Sequence, residues 1–143
     1  MKGPSIVAFE PAHLADIDPP VLLRGQMQRF AAAYRPAGPA FTLMEQGQAL
    51  GCGGLILEGE LGHAWAFLSD ILRRRPQLLH RTVSRALPAL MQHYDLECLT
   101  AEAHVDFSGA RRWLVRLGFS FEKVVPRCAG TTENYARYRL WLG

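Results

Sequence analysis

The alternation of hydrophobic and polar positions predicts three β-strands in quick succession between residues 41 and 68. The strands are Phe41 to Glu45, Ala49 to Glu58 and His63 to Leu68, and short turns that contain glycine separate them. Strands joined by such short turns pair antiparallel, so this segment predicts an antiparallel meander. The glycines at positions 51, 53 and 54 of the second strand indicate a bulge or close packing. In the third strand, Trp65 and Phe67 share one face.

Helical periodicity lies on both sides of the meander. Upstream, a first strand at Ser5 to Phe9 precedes a short helix at Pro11 to Asp18 and a longer helix at Val21 to Tyr34. Downstream, a long helix begins near Pro76, where the missing N–H of proline costs nothing, and Pro88 predicts a kink within it. The apolar face of this helix consists of Leu79, Val83, Ala86, Leu87, Leu90 and Tyr94.

The last third of the chain returns to strands. A strand at Glu97 to Val105 precedes a short helix at Ser108 to Leu117, whose serine is a suitable N-cap and which Gly118 ends. Two closing strands are predicted at Phe119 to Pro126 and Tyr135 to Leu142. The element order predicts one α/β (α+β) domain over residues 1–143, with a mixed central sheet, an antiparallel N-terminal meander and flanking helices.

Composition narrows the class of protein. A chain of 143 residues with 49% hydrophobic and 20% charged residues is typical of a soluble single domain. No apolar run is long enough for a membrane helix, and the N-terminus lacks the apolar core of a signal peptide, so we expect a cytoplasmic protein with no membrane partner. The cysteines are too few and too widely spaced to predict a disulfide framework or a zinc site.

Individual aromatic, histidine and cysteine side chains are expected to be structural. The aromatic residues expected in the core are Trp65, Phe67, Trp113 and Trp141, because no basic residue is interleaved with them at strand period. In the short helix, Trp113 and Leu117 are predicted to pack inward. We expect His104 to be a satisfied surface histidine, and Cys52 and Cys98 to be small buried hydrophobes.

Positive charge is concentrated locally although the net charge is only +3. Five arginines fall within thirteen positions, namely Arg73, Arg74, Arg75, Arg81 and Arg85. A local cluster on a nearly neutral body favours a small polyanionic ligand over nucleic acid, which usually needs a wider basic surface. We therefore expect no nucleic-acid partner.

The segment from Ala110 to Phe119, ARRWLVRLGF, is similar to the segment in which GNAT proteins present an alanine, an aromatic pair and then LGF. Together with the element order, it makes nearly the whole chain resemble the GNAT N-acetyltransferase superfamily. The resemblance is closest to small phage-encoded GNAT-like proteins and internal virion proteins. Those proteins share the glycine pair at Gly53-Gly54 and an aromatic third strand that ends in Ser-Asp, here Trp65 to Asp70.

The resemblance implies a site for acetyl-CoA. In GNAT proteins one strand carries the pantetheine arm, and the following loop and helix N-terminus hold the pyrophosphate. Here these would be Ala66 to Ser69 and Arg73 to Leu79. The implied binding residues are Phe67, Leu68, Ser69, Arg73, Arg74, Arg75, Gln77, Leu78, Leu79 and Arg111.

The phosphate segment departs from the family pattern of Arg or Gln, two residues, Gly, one residue, and Gly or Ala. Pro76 and Leu78 occupy the two small positions, and proline removes a backbone donor. Arginine side chains could replace backbone N–H groups as phosphate ligands. The alternative is that this segment is simply a solvated basic helix start.

Acetyl transfer to an amine needs a base that accepts the ammonium proton. The candidates are His63, Glu60 and Glu58, near the turn before the third meander strand. A histidine has an ordinary pKa of about 6.5, so it could serve with little tuning. The alternative is that His63 caps a hairpin and the two glutamates are solvated turn residues. Many GNAT enzymes also use a tyrosine as acid, and Leu114 occupies that position here.

Two functions stay open from the sequence. The first is an acetyl-CoA-dependent N-acyltransferase that acts on an unidentified amine by direct transfer, with residues 35–40 and 129–133 bordering the acceptor site. The second is a catalytically inactive GNAT-like phage protein, in the virion or the host cytoplasm, that serves as a virion component or binds a host protein. A homodimer is also left open, with Trp141 on the last strand as a contact.

Overall fold

A computed structural model describes residues 3–19, 21–126 and 134–142. Its strands are β1 (Ser5–Ala8), β2 (Ala40–Glu45), β3 (Gln48–Glu58), β4 (Leu61–Leu68), β5 (Cys98–His104), β6 (Ser120–Pro126) and β7 (Asn134–Trp141). Its helices are a 3-10 helix at Pro11–Asp16, α1 (Val21–Ala33), α2 (Asp70–Arg73), α3 (Pro76–His93) and α4 (Ser108–Arg116). None of the described helices is both long and apolar enough to cross a membrane.

Within the described residues, seven strands form a mixed sheet in the order β1-β2-β3-β4-β5-β7-β6. The pairs β1–β2, β2–β3, β5–β7 and β6–β7 are antiparallel. The pair β4–β5 is parallel and joins Leu61–Ala64 to Cys98–Ala101. The predicted α/β class with a mixed central sheet and flanking helices is therefore confirmed.

The chain divides into two compact units. The first comprises the residues up to Ile56 together with Trp65–Leu79. The second comprises Leu57–Ala64 and the residues from His80 onward.

The core of the first unit is built around aromatic side chains. Phe67 is 4% exposed and packs in one cluster with Leu14, Ile17 and Cys52. The ring of Phe30, on α1, lies 4.4 Å from the ring of Trp65 and 5.2 Å from that of Phe67, measured between centroids. Trp65 and Phe67 therefore share a face, as predicted, and Cys52 is a small buried hydrophobe.

The glycines of β3 allow other backbone and side-chain groups to come close. A Cβ on Gly54 would lie 2.4 Å from the carbonyl oxygen of Pro39, and one on Gly51 would lie 2.6 Å from a Leu72 methyl. Strand β3 also bulges, because Leu43 pairs with Gly51 and the next residue pairs with Ala49. Both features predicted from the glycines, a bulge and close packing, are present.

The second unit is built on long regular strand pairs. All of β5 pairs with β7, from Cys98 opposite Trp141 to His104 opposite Tyr135. Most of the buried side chains are apolar, and Leu99 and Ala136 are completely buried, while Thr100 and His104 are the buried polar residues of β5. Cross-strand ion pairs join neighbouring strands: Arg137 with Glu102, and Arg139 with Glu122.

Several local predictions about side chains are wrong. Ser108 is the first helical residue of α4, and Phe107 occupies the N-cap without a side-chain hydrogen bond. Trp141 is 63% exposed, because it ends β7 where packing stops. His104 is buried against the ring of Tyr135 and not on the surface, although its Nδ1 is satisfied as expected, by the Asp106 N–H at 3.1 Å.

The inward faces of the helices also differ from those predicted. Tyr94 follows the end of α3 and is exposed, whereas Met91 is 2% exposed and fills the inward position. In α4 the buried residue is Leu114, with Trp113 and Leu117 half-buried beside it. Helix α2 was not predicted at all, since four residues are too few to show a helical period.

Candidate functional site

The chain turns sharply after β4, at residues Ser69–Leu79, which we call the arginine turn. Ser69 is buried and its Oγ accepts the Leu72 N–H at 3.2 Å, so it caps the N-terminus of α2. Helix α3 then begins at Pro76, as predicted. Three consecutive arginines, Arg73 to Arg75, therefore lie between two helix starts in the first unit.

Each guanidinium of the arginine turn has a partner within the first unit. Arg73 donates to the carbonyl oxygen of Leu68 at 2.7 Å and to Asp70 at 3.3 Å. Arg74 pairs with the same Asp70 carboxylate. Arg75 donates to Oε1 of Glu45, on β2, at 2.8 Å. Two carboxylates thus pair with three of the five arginines in the predicted cluster, so part of its positive charge is offset.

These partners also set the protonation of Asp70. The hydrogen bond from Arg74 and its charge lower the pKa of the Asp70 carboxyl below its usual value, and Arg73 adds to the effect. The Asp70 and Arg74 side chains are 60% and 72% exposed, so their pair lies open to solvent. Exposed pairs of this kind contribute little to stability.

The backbone of the arginine turn does not offer a cradle for phosphate at residues 73–76. The N–H groups of Arg73, Arg74 and Arg75 donate to the carbonyl oxygens of Ser69, Asp70 and Leu72 in turn. Pro76 has no N–H to donate. The residues present therefore fit a diphosphate through guanidinium side chains, next to the positive end of the α3 dipole, and not through converging backbone donors.

The other implied acetyl-CoA residues have different surroundings. Phe67 and Leu79 are buried, so their side chains serve the core. Leu78 is half-buried and Gln77 is exposed at the start of α3. Arg111 lies in the second unit, where it donates to Tyr138 Oη at 3.0 Å and to the carbonyl oxygen of Val105 at 3.1 Å. The structure thus groups the implied residues of β4 and the arginine turn in one unit and places Arg111 in the other.

Two of the three candidate bases meet in the second unit. His63 Nε2 lies 3.1 Å from Glu58 Oε2, and His63 Nδ1 lies 2.6 Å from Thr100 Oγ1. Glu60 is in the turn, and its carbonyl oxygen accepts the Glu97 N–H at 2.8 Å. The hydrogen-bonded chain is therefore Glu58–His63–Thr100.

The chemistry of the three groups fixes the direction of these hydrogen bonds. An ionised carboxylate can only accept, so the proton of a neutral His63 ring lies on Nε2, and Nδ1 accepts from the Thr100 hydroxyl. The Glu58 side chain is 75% exposed and that of His63 is 37% exposed, whereas Thr100 is buried. Glu58 is thus the outermost acceptor of the chain, and His63 holds it in place.

Thr100 was not found from the sequence. It lies 37 residues from His63 and meets it through the parallel pairing of β4 with β5, where the two residues are partners in register. A threonine within a strand has no local signature of such a role.

No protein-family model matches this sequence, and no curated protein sequence does either. Solved structures do match. The ribosomal-protein-S18-alanine N-acetyltransferase from Escherichia coli has a TM-score of 0.72 at 15% identity, over 97% of this chain and 94% of that chain. This chain has the GNAT fold. The element order is the one that the sequence predicted, apart from the additional short helix α2.

Two further solved structures show the same GNAT fold. A chimera of the spermidine N-acetyltransferase from Vibrio cholerae has a TM-score of 0.72 at 12% identity, over 96% of this chain and 95% of that chain. An acetyltransferase of the GNAT family from Streptococcus pneumoniae has a TM-score of 0.70 at 13% identity, over 99% of this chain and all of its own length. The likeness therefore extends over whole chains.

The segment that carried the GNAT resemblance has a clear structural role. Gly118 has a φ of +106°, so it ends α4 in a conformation that favours glycine. Phe119 is 3% exposed and anchors the entry to β6. Leu114, at the position where many GNAT enzymes have a tyrosine, is 8% exposed and packs in the core. This position therefore supplies no acid.

Proposed function

We propose that the chain is an acetyl-CoA-dependent N-acyltransferase that transfers the acetyl group directly to an amine, and that residues 1–143 act as one GNAT-like domain. The whole-chain likeness to N-acetyltransferases supports this proposal. The observation that carries it is the arginine turn, where three guanidiniums stand between two helix starts. When bound, acetyl-CoA supplies an acetyl group activated as a thioester.

In this proposal the arginine turn binds the diphosphate. Arg74 and Arg75 exchange their carboxylate partners, Asp70 and Glu45, for phosphate oxygens. A guanidinium suits this exchange because it presents paired donors in a planar fork that matches phosphate as well as carboxylate. Arg73 is also bonded to the Leu68 carbonyl oxygen, so it positions the end of β4 against the turn.

Glu58 accepts the proton of the amine in this proposal, and His63 positions it. The Nε2–H of His63 holds one carboxylate oxygen, and Thr100 fixes the ring from the other side. If His63 were itself the acceptor at Nε2, it would first have to lose its bond to Glu58. Leu114 cannot donate a proton, so the chain provides no acid at that position.

Turnover and its dependence on Glu58 test the proposal. Release of CoA from acetyl-CoA is measured with a panel of amines and peptides. Glu58→Gln should lower kcat about a hundredfold, as loss of a general base does. Glu60→Gln is the matched control, since Glu60 is exposed in the adjacent turn and should keep wild-type activity. Equal rates for the two variants would contradict the role of Glu58.

The alternative is a catalytically inactive GNAT-like phage protein that serves as a virion component or binds a host protein. Two observations favour it: the N–H groups of residues 73–75 are all bonded internally, and Leu114 replaces an acid. Trp141, 63% exposed, is then a candidate contact in a homodimer or with a partner protein. Absence of both acetyl-CoA binding and turnover would support this alternative. Either function places the chain in the cytoplasm or, if it is phage-encoded, in the virion.

A further inference from the structure

The first unit contains a cavity of about 240 Å³ that is lined by residues outside the arginine turn. It lies between the end of α1, the loop that precedes β2, strand β3 and the beginning of the Trp65–Leu68 segment of β4. Its walls include the rings of Phe30, Tyr34 and Trp65 and the aliphatic side chains of Leu55 and Ile56. The predicted acceptor loop, residues 35–40, supplies part of the rim.

Three aromatic rings form one side of the cavity. The ring centroids of Phe30 and Trp65 are 4.4 Å apart, and those of Phe30 and Tyr34 are 5.5 Å apart. The pairs are tilted rather than stacked, an arrangement that offers ring edges and faces to a further aromatic group. A wall of this kind favours an aromatic ligand over a flexible polar one.

The charge at the cavity is positive. Among the described residues that line it, Arg35 carries a charge and none is acidic. Its guanidinium donates to the Tyr34 carbonyl oxygen at 2.8 Å, which keeps the cation at the rim. A polyamine would need carboxylates to balance its charges, so this cavity disfavours it.

The size of the cavity limits the group that it can hold. An apolar cavity of about 150 Å³ is sufficient to bind benzene, so about 240 Å³ accommodates one aromatic ring with a short substituent. Trp65 also directly precedes Ala66–Ser69, the segment of β4 proposed to carry the pantetheine arm. The cavity therefore adjoins the proposed acyl-donor strand within the same unit.

We propose that this cavity binds the aryl group of the acceptor, so that the acceptor is a monoamine bearing one aromatic ring and not a polyamine. This inference rests on the proposed N-acyltransferase function. It adds a substrate class, and the residues that select it are Phe30, Tyr34 and Trp65 on the aromatic wall and Arg35 at the rim.

Binding without acetyl-CoA tests the cavity independently of catalysis. Phenethylamine and spermidine are titrated into the protein and followed by isothermal calorimetry. Phenethylamine should bind about tenfold or more tightly than spermidine, from the apolar area that its ring buries. Ala33→Leu, which fills the cavity from α1, should abolish this preference. Ala32→Leu is the matched control, since Ala32 lies on the same helix but does not line the cavity, and this variant should leave binding unchanged.

A CoA-release assay with the same two amines then separates the two proposals. Acetylation of phenethylamine in preference to spermidine, lost in Ala33→Leu alone, supports both. Phenethylamine binding without acetyl transfer supports the cavity and contradicts the acyltransferase activity. Acetylation that prefers spermidine, or phenethylamine binding that Ala33→Leu leaves unchanged, overturns the assignment of the cavity.

Discussion

The two units of the chain hold their charged side chains in different ways. In the first unit, Asp70 at the exposed start of α2 pairs with Arg73 and Arg74, and Arg75 pairs with the half-buried Glu45 on β2. In the second unit, Arg137 donates twice to Glu102 across paired strands, and the Glu102 side chain is only 15% exposed. The Arg74–Asp70 pair of the first unit is open to solvent, whereas the Arg137–Glu102 pair of the second unit joins two strands of the sheet.

The contrast extends to the backbone. The first unit depends on glycines that let β3 approach its neighbours, and an added Cβ at Gly54 would meet backbone atoms at 2.4 and 2.8 Å. The second unit contains a glycine in α4, Gly109, with nothing within 4 Å of an added Cβ. In the first unit, therefore, close backbone contacts at Gly54 constrain the chain locally, while the Arg74–Asp70 ion pair lies exposed to solvent. A site for a charged ligand needs both a constrained backbone and charged side chains that the ligand can reach.

The largest effect should come from the crowded glycine of the first unit. Gly54→Ala places a Cβ against the backbone of Pro39 and Ala40, which cannot move as a side chain can. We expect a loss of about 3 kcal/mol in the free energy of unfolding, measured by urea denaturation. Gly109→Ala is the control and should gain about 0.5 kcal/mol, because alanine favours a helix. Equal stability of the two variants would contradict the difference in backbone packing between the two units.

The next largest effect should come from the sheet ion pair. Glu102→Gln removes the charge that accepts two bonds from Arg137, and we expect a loss of about 2 kcal/mol of stability. Asp70→Asn, in the exposed pair of the first unit, should change the unfolding free energy much less. A larger loss for Asp70→Asn would reverse the assignment of structural and exchangeable pairs.

A smaller effect is expected at Thr100. Thr100→Val removes the hydroxyl that bonds His63 Nδ1 at 2.6 Å and should cost about 1 kcal/mol of stability. It should also shift the pH dependence of kcat, because the ring that positions Glu58 is no longer held. Thr100→Ser keeps the hydroxyl and should restore the wild-type pH profile. A profile unchanged in Thr100→Val would show that the threonine has only a packing role.

The smallest effect concerns acid stability. Because Arg74 lowers the pKa of Asp70 in the folded state, ionised Asp70 stabilises the fold above the pKa of the unfolded chain. This contribution is lost as the pH falls through the lowered pKa of the folded state. The small difference between the wild type and Asp70→Asn should therefore disappear in acid, as measured by thermal unfolding across pH. A difference that grows in acid would contradict the direction of the pKa shift.

Sequence patterns predicted what depends on neighbouring residues. The meander, the start of α3 at Pro76 and the end of α4 at Gly118 follow from local period and backbone chemistry, and all three are present. The glycines of β3 predicted the close packing that the structure shows around that strand. Contacts between distant residues could not be predicted in this way.

The candidate site shows where local patterns stop being informative. The arginines were visible as a run, but the pairing of Arg75 with Glu45, 30 residues away, was not. Helix α2 is too short to show a helical period in the sequence. Its hydrogen bonds nevertheless occupy backbone N–H groups that a phosphate cradle would use. Thr100 joins His63 only through the parallel pairing of two strands. The contacts of Glu45 and Thr100 arise from tertiary packing.

Direct binding of acetyl-CoA tests the central proposal, in which arginines of the arginine turn exchange their carboxylate partners for the diphosphate. Calorimetric titration is performed on the wild type and on the Arg73→Ala, Arg74→Ala, Arg75→Ala triple variant, with the melting temperature as a check on folding. The wild type should bind, and the triple variant should lose about a hundredfold or more in affinity, since charge-assisted hydrogen bonds are removed. A wild type that does not bind at millimolar acetyl-CoA, or a folded triple variant that binds equally well, would contradict the proposal.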